Sequence, residues 1–193
     1  MHTPKAVLKI LGLTLLLALT SGCGSRIMNR VATQPAPESD YALVTFVRPT
    51  VFGGAIMFGI WDSEEFVGIL TAKSYIQHKT KPGEHIFLAQ AENWSYVKAN
   101  LQGGKHYFVI GRVFPGVWKA RVALDPVRRN DPETSNGQLG GWLKDLEPTA
   151  VIADQVEAYR HPRLGHIKNA LEDYQSGKVT FEVLEADDGL MLF

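Results

Sequence analysis

Histidines and carboxylates offer this chain its widest choice of chemistry, because both exchange protons and bind metal ions. Three histidines fall on predicted strands and two near a predicted helix junction: His78, His85 and His106, then His161 and His166. His161 and His166 are five residues apart with Pro162 between them, so they lack the i, i+4 spacing of paired helical metal ligands. Asp154, Glu157 and His161 do share a helical face, but such charge spacing is typical of a solvated surface. The sequence therefore predicts no metal site and no cofactor.

Catalysis by a nucleophile or by paired acids finds little support in the residue pattern. The chain contains no Gly-x-Ser-x-Gly sequence, and its one cysteine is Cys23. Asp62, Glu64 and Glu65 cluster at a predicted hairpin tip, where polar residues ordinarily form a turn. A carboxylate pair acting on a glycosidic bond stays open, because the distance between side chains is not visible in a sequence. We expect a non-enzymatic protein with no catalytic residue.

Aromatic side chains could form a platform on which sugar rings stack, if several were exposed together. The candidates are Trp61, Trp94, Trp118, Trp142, Tyr75, Tyr96 and Tyr107. Trp118 and Trp142 fall on apolar stripes and are predicted core residues. Trp94 is flanked by polar residues, so Trp94 and the nearby Tyr96 are the predicted ligand contacts. Packing in the core or at its rim is the favoured interpretation, since aromatic residues dominate cores as well as interfaces.

The charge balance excludes some classes of partner. The whole chain has a formal net charge of zero, and residues 1–22 contain Lys5 and Lys9 but no acid. A chain without those residues therefore carries about two negative charges, which provides no electrostatic footprint for nucleic acid. The same balance argues against a polybasic surface that binds anionic lipid headgroups.

The first 22 residues have the pattern of a secretory signal. Lys5 and Lys9 form a basic region, and residues 10–19 contain a single polar residue. A helix of that length rises about 15 Å and is too short for a hydrocarbon core of roughly 30 Å. The apolar run is therefore predicted to be part of a cleaved signal peptide, residues 1–22.

The signal ends in Leu19-Thr20-Ser21-Gly22-Cys23, which resembles a lipoprotein-processing box. The resemblance implies cleavage between Gly22 and Cys23, acylation of Cys23 and attachment to a membrane through that lipid. Leucine is commonest three places before the cysteine, where this chain has Thr20. Gly24 in second place of the mature chain favours the periplasmic side of the outer membrane. The alternative is an ordinary secretory signal with Cys23 as a free thiol.

The rest of the chain divides into three predicted parts. Residues 23–40 contain two prolines and no sustained periodicity, so they are predicted to be a flexible tether. Residues 41–126 are predicted to be a β domain with strands at 42–48, 56–62, 65–70, 74–80, 84–91, 95–101, 105–114 and 117–125. Residues 127–193 are predicted to be a helical extension that packs on this domain.

Short apolar runs separated by turn residues predict an antiparallel β-sandwich. Trp118, Ala120, Val122 and Leu124 alternate with charged residues, whereas residues 107–110 are apolar on both faces. In the extension, Leu139, Trp142, Leu143 and Leu146 have helical spacing. A second helix is predicted to open at Pro148-Thr149, a third is predicted from Leu164 to Gly177, and a last strand at 178–184.

Several turn motifs resemble those of a family of bacterial lipoproteins, the domain of unknown function 2846. The matching pieces are Val47-Arg48-Pro49, Phe52-Gly53-Gly54, Phe66-Val67-Gly68-Ile69-Leu70, Ser74-Tyr75 and Lys81-Pro82-Gly83-Glu84-His85. The resemblance covers less than half of the chain. It implies a small β-sandwich of transthyretin or immunoglobulin type with a lipid anchor, and it implies no activity.

These observations predict an envelope lipoprotein whose β domain acts as an interaction or structural module. The expected partner is another envelope protein. The alternative, which depends on the aromatic residues, is a periplasmic module that binds glycan or lipid.

Overall fold

The computed structural model describes residues 27–116 and 120–191. In these ranges the chain is mainly β, with two sheets and short helices in its last third. The strands are β1 Met28–Arg30, β2 Ala42–Arg48, β3 Phe58–Asp62, β4 Glu65–Leu70, β5 Ser74–Thr80, β6 Gly83–Gln90, β7 Trp94–Leu101, β8 His106–Phe114, β9 Arg121–Pro126, β10 Glu147–Val151 and β11 Glu182–Leu184. The α-helices are α1 Pro132–Ser135, α2 Gln138–Asp145, α3 Val156–Arg160 and α4 Leu164–Gln175.

The strands divide between a six-stranded and a five-stranded sheet. The six-stranded sheet has the order β1-β10-β5-β2-β8-β9, and the five-stranded sheet has the order β11-β7-β6-β3-β4. The predicted bounds of β2, β4 and β5 are correct, and those of β3, β6, β7 and β8 differ by one or two residues. Turn residues and alternating apolar positions therefore locate these strands well.

The main core is a single apolar cluster formed by strands of both sheets. Every residue of β2 is buried, and Phe46 of this strand meets Phe87 of β6 edge to face at 5.1 Å between ring centroids. On β8, Tyr107 and Val109 join this cluster, whereas Phe108 and Ile110 pack with Leu139 of α2 in a second cluster. Both faces of β8 are therefore covered, which accounts for the apolar residues on both faces of this strand.

The predicted purely antiparallel arrangement is wrong, because both sheets are mixed. β2 pairs in parallel with β8, and β10 with β5, in the six-stranded sheet. β11 pairs in parallel with β7 in the other. Parallel neighbours need long connections, and here each connection runs through strands or helices elsewhere in the molecule. Local sequence patterns carry no record of such distant pairing.

The helical extension is correct in two places and wrong in one. α2 contains the predicted apolar stripe, and α4 ends just before Gly177, whose φ of 71° suits a residue without a side chain. The helix predicted to open at Pro148 is instead β10, which pairs with both β1 and β5. Sheet pairing has overridden the local signal there, and the helical turns begin only after residue 152.

The described part of the predicted tether lies against the body. β1 pairs antiparallel with β10, and Val31 donates a backbone hydrogen bond to the carbonyl of Pro148. Further along, Thr33 and Tyr75 share a hydrogen bond of 2.6 Å between their hydroxyl groups. Residues 28–34 are therefore part of the folded unit rather than a free linker.

Several predictions fall outside the described residues. They are the signal peptide, the cleavage between Gly22 and Cys23, the lipidation of Cys23 and the burial of Trp118. Within residues 27–116 and 120–191, no helix is long and apolar enough to span a bilayer.

Candidate functional site

A groove of about 810 Å³ opens beside β9, the edge strand of the six-stranded sheet. The start of β7 lines it on one side, and Thr180, Phe181 and Glu182 line it on another. Phe114 and Pro115, where β8 ends, line it as well. The groove therefore lies where the two sheets come together at their edges.

Side chains from β7 and the residue before it hold β9 in place along the groove. The side-chain amide of Asn93 donates to the carbonyl of Val122 at 2.9 Å and accepts from the backbone amide of Val122 at 2.8 Å. The hydroxyl of Ser95 accepts from the backbone amide of Leu124 at 2.9 Å. Asn93 thus replaces a neighbouring strand, and the edge of β9 is partly satisfied without a further strand.

The two predicted ligand contacts both line the groove but differ in exposure. Trp94 is half-buried and packs against the apolar cluster that contains Tyr96 and Ile167, so only part of it is accessible from the groove. Tyr96 is only 5% exposed and stacks on Tyr174 of α4, with 6.2 Å between ring centroids. Burial, together with the nearby Asp173, raises the pKa of the Tyr96 hydroxyl. Trp94 is therefore accessible to a ligand, whereas Tyr96 mainly packs the interior.

Two further aromatic side chains in the groove were not predicted. Phe114 and Phe181 are both exposed. Two ion pairs lie beside them: Arg112 bonds Asp125 at 2.6 Å, and Arg128, close by, bonds Glu182 at 2.8 Å. The groove thus presents apolar rings framed by ion pairs at its surface.

A buried arginine holds the loop that follows β2. Arg48 is fully buried, and its guanidinium donates to the backbone carbonyls of Phe52, Gly53 and Ile56. Burial lowers the pKa of Arg48, and the side chain forms no ion pair among the described residues. A buried cation is costly unless it is well hydrogen-bonded. The hydrogen bonds from Arg48 to these three carbonyls therefore hold the loop at residues 49–57 in its conformation.

The loop held by Arg48 exposes large apolar side chains. Val51 is 68% exposed and Phe52 is 56% exposed, and Met57 is exposed as well. The loop packs closely against β8: a side chain at position 53 would place its Cβ atom only 2.8 Å from the Val113 side chain. Val113 directly precedes Phe114 in the chain. Since β2 and β8 are parallel, both lead out of the sheet at the same end. Val51, Phe52, Met57 and Phe114 are called the apolar end below.

The predicted carboxylate cluster does not form a cleft. Asp62 is only 7% exposed and accepts hydrogen bonds from His78 at 3.0 Å and from His85 at 2.8 Å. Burial opposes its ionisation, yet these two hydrogen bonds outweigh that effect and hold the pKa of Asp62 below its ordinary value. Glu64 lies instead near Arg160 and Lys168. Asp62 does not line the groove, and in the described ranges no three His, Cys, Asp or Glu side chains are arranged to hold a metal.

The other predicted candidates do not meet at one site. His106 is buried, shares a hydrogen bond of 2.6 Å with Thr45, and has its pKa lowered by burial to about 4. His161 and His166 are exposed, and Glu157 pairs with Arg160. The remaining candidate aromatic residues that the structure describes are buried or half-buried in the core clusters: Trp61, Trp142, Tyr75 and Tyr107.

Neither a family model, nor a curated protein sequence, nor a solved structure matches the chain. The function is therefore argued from the groove and the apolar end alone. The polar neighbours of Trp94 in the sequence identified it as a candidate surface residue. Sequence reasoning missed Phe114 and Phe181, because an apolar residue in a strand pattern is ordinarily assigned to the core.

Proposed function

We propose that this chain is a non-enzymatic, lipid-anchored envelope protein that docks a partner protein on its apolar end and the adjoining groove. The observation that carries the proposal is the exposure of four large apolar side chains, Val51, Phe52, Met57 and Phe114, the last of which also lines the groove. Leaving one large apolar side chain in water forgoes about 1.5–3 kcal/mol of burial. Arg48 holds the loop in a conformation that exposes two such side chains in succession, Val51 and Phe52. A partner protein that covers both side chains best explains this conformation.

The composition of this surface favours a protein partner. Protein interfaces are enriched in aromatic residues, methionine and arginine, and their centres are poor in charge. The apolar end supplies Phe52, Met57 and Phe114, and the groove adds Trp94 and the exposed Arg121. The ion pairs beside the groove are suited to a polar rim, where they set orientation more than affinity.

The lipid anchor on Cys23 and an outer-membrane location remain part of the proposal, supported by the sequence of the signal. If Cys23 is acylated, only residues 24–26 lie between it and Ile27, which accepts a backbone hydrogen bond from Ile152. Four residue steps span at most about 14 Å. The anchor would therefore hold the domain close to the membrane.

The strand register separates Met28, where the described chain enters the sheet, from Arg48 at the start of the apolar end. Arg48 pairs with Ser74, and Ser74 lies opposite Glu147 at the start of β10. Met28 pairs with Val151 at the other end of β10, four residues or about 13 Å farther from Arg48. The described chain therefore enters the sheet about 13 Å from the level of Arg48 along the strand direction.

We also propose that the fold is a β-sandwich of transthyretin or immunoglobulin type, as the family resemblance implies. Three resembling motifs coincide with specific contacts. Val47-Arg48-Pro49 and Phe52-Gly53-Gly54 supply the buried guanidinium and two of the carbonyls that it binds. In Lys81-Pro82-Gly83-Glu84-His85, the His85 ring bonds the Lys81 carbonyl. Motifs of this kind preserve loop conformation, which is consistent with a binding protein without chemistry of its own.

Crosslinking in intact cells of the native host tests the proposal. The wild-type chain is compared with the double variant Phe52→Asp, Phe114→Asp, and with the control Asn169→Asp, Gln175→Asp on the exposed face of α4. We expect one predominant protein partner with wild type and control, and at least a tenfold loss with the double variant. Equal capture by the double variant, or no protein captured by wild type, would contradict the proposal. Mass spectrometry of the mature N-terminus reports separately on acylation of Cys23.

A second candidate is a glycan-binding module, which the half-buried Trp94 in an open groove favours. A sugar ring would stack on the indole and bond to the polar groups around it. Binding of soluble cell-wall fragments that is lost in Trp94→Ala but retained in Phe52→Asp would select this candidate. Absence of fragment binding by the wild-type chain would eliminate it.

A further inference from the structure

A buried carboxylate joins the two sheets at Asp62. Asp62 is the last residue of β3 in the five-stranded sheet, and His85 lies on β6 of the same sheet. His78 lies on β5 of the six-stranded sheet. Both imidazole rings bond the same oxygen of Asp62, Oδ2, through His78 Nε2 and His85 Nδ1. One carboxylate oxygen therefore links strands of both sheets.

Counting donors and acceptors fixes the protonation of His85. Its Nδ1 faces the Asp62 carboxylate at 2.8 Å, and its Nε2 faces the backbone carbonyl of Lys81 at 2.9 Å. An ionised carboxylate and a carbonyl accept hydrogen bonds but donate none. Both contacts are hydrogen bonds only when both ring nitrogens of His85 carry a proton, that is, when the ring is a cation. A neutral imidazole has one N–H and makes only one of the two bonds.

We propose that Asp62, His78 and His85 form a proton-dependent clamp, in which His78 and Asp62 link the two sheets and the charged His85 ring fixes the turn between β5 and β6. When His85 loses a proton, Nδ1–H stays on the carboxylate and Nε2 becomes an acceptor facing the Lys81 carbonyl. That bond is lost and the turn at residues 81–83 is released. The clamp is independent of the proposed partner and does not line the groove.

The surroundings of the clamp favour the charged ring. The hydrogen bond that His85 donates to Asp62 raises the pKa of His85, and burial opposes this increase. The charges of Asp62 and Glu65 and the hydrogen bond to the Lys81 carbonyl add to the increase. Phe87 of β6 stacks on the His85 ring and meets the His78 ring edge-on, so the two imidazoles share an apolar neighbour.

The other charged groups on these elements are engaged elsewhere. Lys79 and Lys81 place their ammonium groups over the ring of Tyr41, at 4.2 and 4.1 Å from its centroid. Glu84 pairs with Lys98 of β7, and Glu64 lies near Arg160 and Lys168. Asp62 and His85 therefore form the charged pair at the centre of the clamp.

The direction of the pH dependence follows from the two pKa changes. The pKa of His85 is raised above its ordinary 6.5, so its stabilising effect is complete below that pH and is lost as pH rises through the folded-state pKa. The pKa of Asp62 is lowered below its ordinary 3.8, so its effect is complete above that value and is lost as pH falls through the folded-state pKa. The clamp is strongest between about pH 4 and 6.5 and weakens on both sides of that range.

Imidazole nitrogen NMR on the full chain in detergent tests the clamp. In the wild type, we expect both ring nitrogens of His85 to be protonated at pH 6.5 and to lose one proton at higher pH. The ¹³C signal of the Lys81 carbonyl should shift with the same midpoint. In Asp62→Asn the midpoint should fall by at least about one pH unit, a tenfold loss of proton affinity. The control His166→Gln, an exposed position on α4, should leave the His85 titration unchanged.

Three results would overturn the clamp. They are a neutral His85 in the wild type at pH 6, a titration that is the same in Asp62→Asn, or a Lys81 carbonyl that does not respond. Stoichiometric Zn²⁺ binding that removes the His85 proton at pH 6.5 would also overturn it, because the ring nitrogens would then be metal ligands. If Asp62→Asn fails to fold, His85→Gln serves instead, since its amide can still bond Lys81 without titrating. The Lys81 signal should then be independent of pH above 6.5, and a shift that persists there would equally contradict the clamp.

Discussion

The Asp62 cluster and the apolar end each hold side chains in an unfavourable environment, a charge in the interior and apolar groups in water. Only the Asp62 cluster compensates for this within the chain. At Asp62, a charged carboxylate is removed from water, and two histidines bond it. At the apolar end, Val51 and Phe52 remain in water although a core would stabilise them. The first arrangement is complete within the chain, whereas the second becomes favourable only when something else covers it.

The contrast shows that residue type alone does not identify the surface that is available to a partner. The residue types with the richest chemistry, histidine and aspartate, form internal links here. The surface suited to a partner consists of apolar residues whose types suggest only core packing. Burial and hydrogen-bond satisfaction, rather than residue type, separate the two regions.

Arg48→Met gives the largest expected effect, because Arg48 connects the closed interior to the exposed loop. The substitution removes the buried guanidinium and leaves the carbonyls of Phe52, Gly53 and Ile56 without their donors. We expect the free energy of unfolding to fall by about 4 kcal/mol in urea denaturation. Arg121→Met, at an exposed position beside the groove, is the control and should change it by less than about 0.5 kcal/mol. Similar small losses in both variants would show that the loop does not need its buried cation.

His106→Gln tests the difference between a buried histidine that bonds a carboxylate, such as His78, and one that does not, His106. Burial lowers its pKa from 6.5 to about 4, so between these values the unfolded chain binds the proton more readily than the folded chain. Stability should fall as pH falls through this range, by on the order of 3 kcal/mol from this residue. In His106→Gln this loss should be absent from denaturation curves recorded at pH 6.5, 5 and 4. An unchanged loss in the variant would assign the acid sensitivity to another group.

Asn93→Ala tests how the floor of the groove is held. The variant loses both hydrogen bonds to the backbone of Val122 and leaves the edge of β9 unsatisfied. We expect a loss of about 1–2 kcal/mol in the free energy of unfolding, together with faster amide exchange at Val122. Asn100→Ala, an exposed position on β7, is the matched control. If amide exchange at Val122 does not change, Asn93 is not what holds the strand.

The smallest expected effect on stability is that of Phe52→Ser. Phe52 is exposed, so the free energy of unfolding should change by less than about 0.5 kcal/mol. Partner capture should nevertheless fall at least tenfold, since the ring would lie within the interface. A loss of stability above 2 kcal/mol would instead show that the ring packs within the chain, which would place the residue with the interior.

Sequence patterns located most of the β domain because alternation and turn residues are local signals. β2, β4 and β5 were predicted at their correct bounds, and α2 and α4 followed from apolar spacing. β1 and β10 were missed because each exists only through pairing with distant residues. The parallel pairs were missed for the same reason.

The candidate site could be predicted only in part. Trp94 was identified by its polar neighbours, which indicate a surface position. Phe114 and Phe52 gave no such signal, because exposure of an apolar residue depends on what the fold leaves uncovered. The link between Asp62, His78 and His85 joins residues on three strands, and their spacing along the chain did not indicate it.

A photocrosslinking map in living cells is the most direct test of the proposed docking surface. A photoreactive amino acid is placed singly at Phe52, Met57, Phe114 and Trp94, and at the exposed control positions Asn169 and Gln175 on α4. We expect a crosslink to one and the same protein from Phe52, Met57 and Phe114, and none from the two control positions. Crosslinks confined to the helix positions, or none from any position on the apolar end, would contradict it.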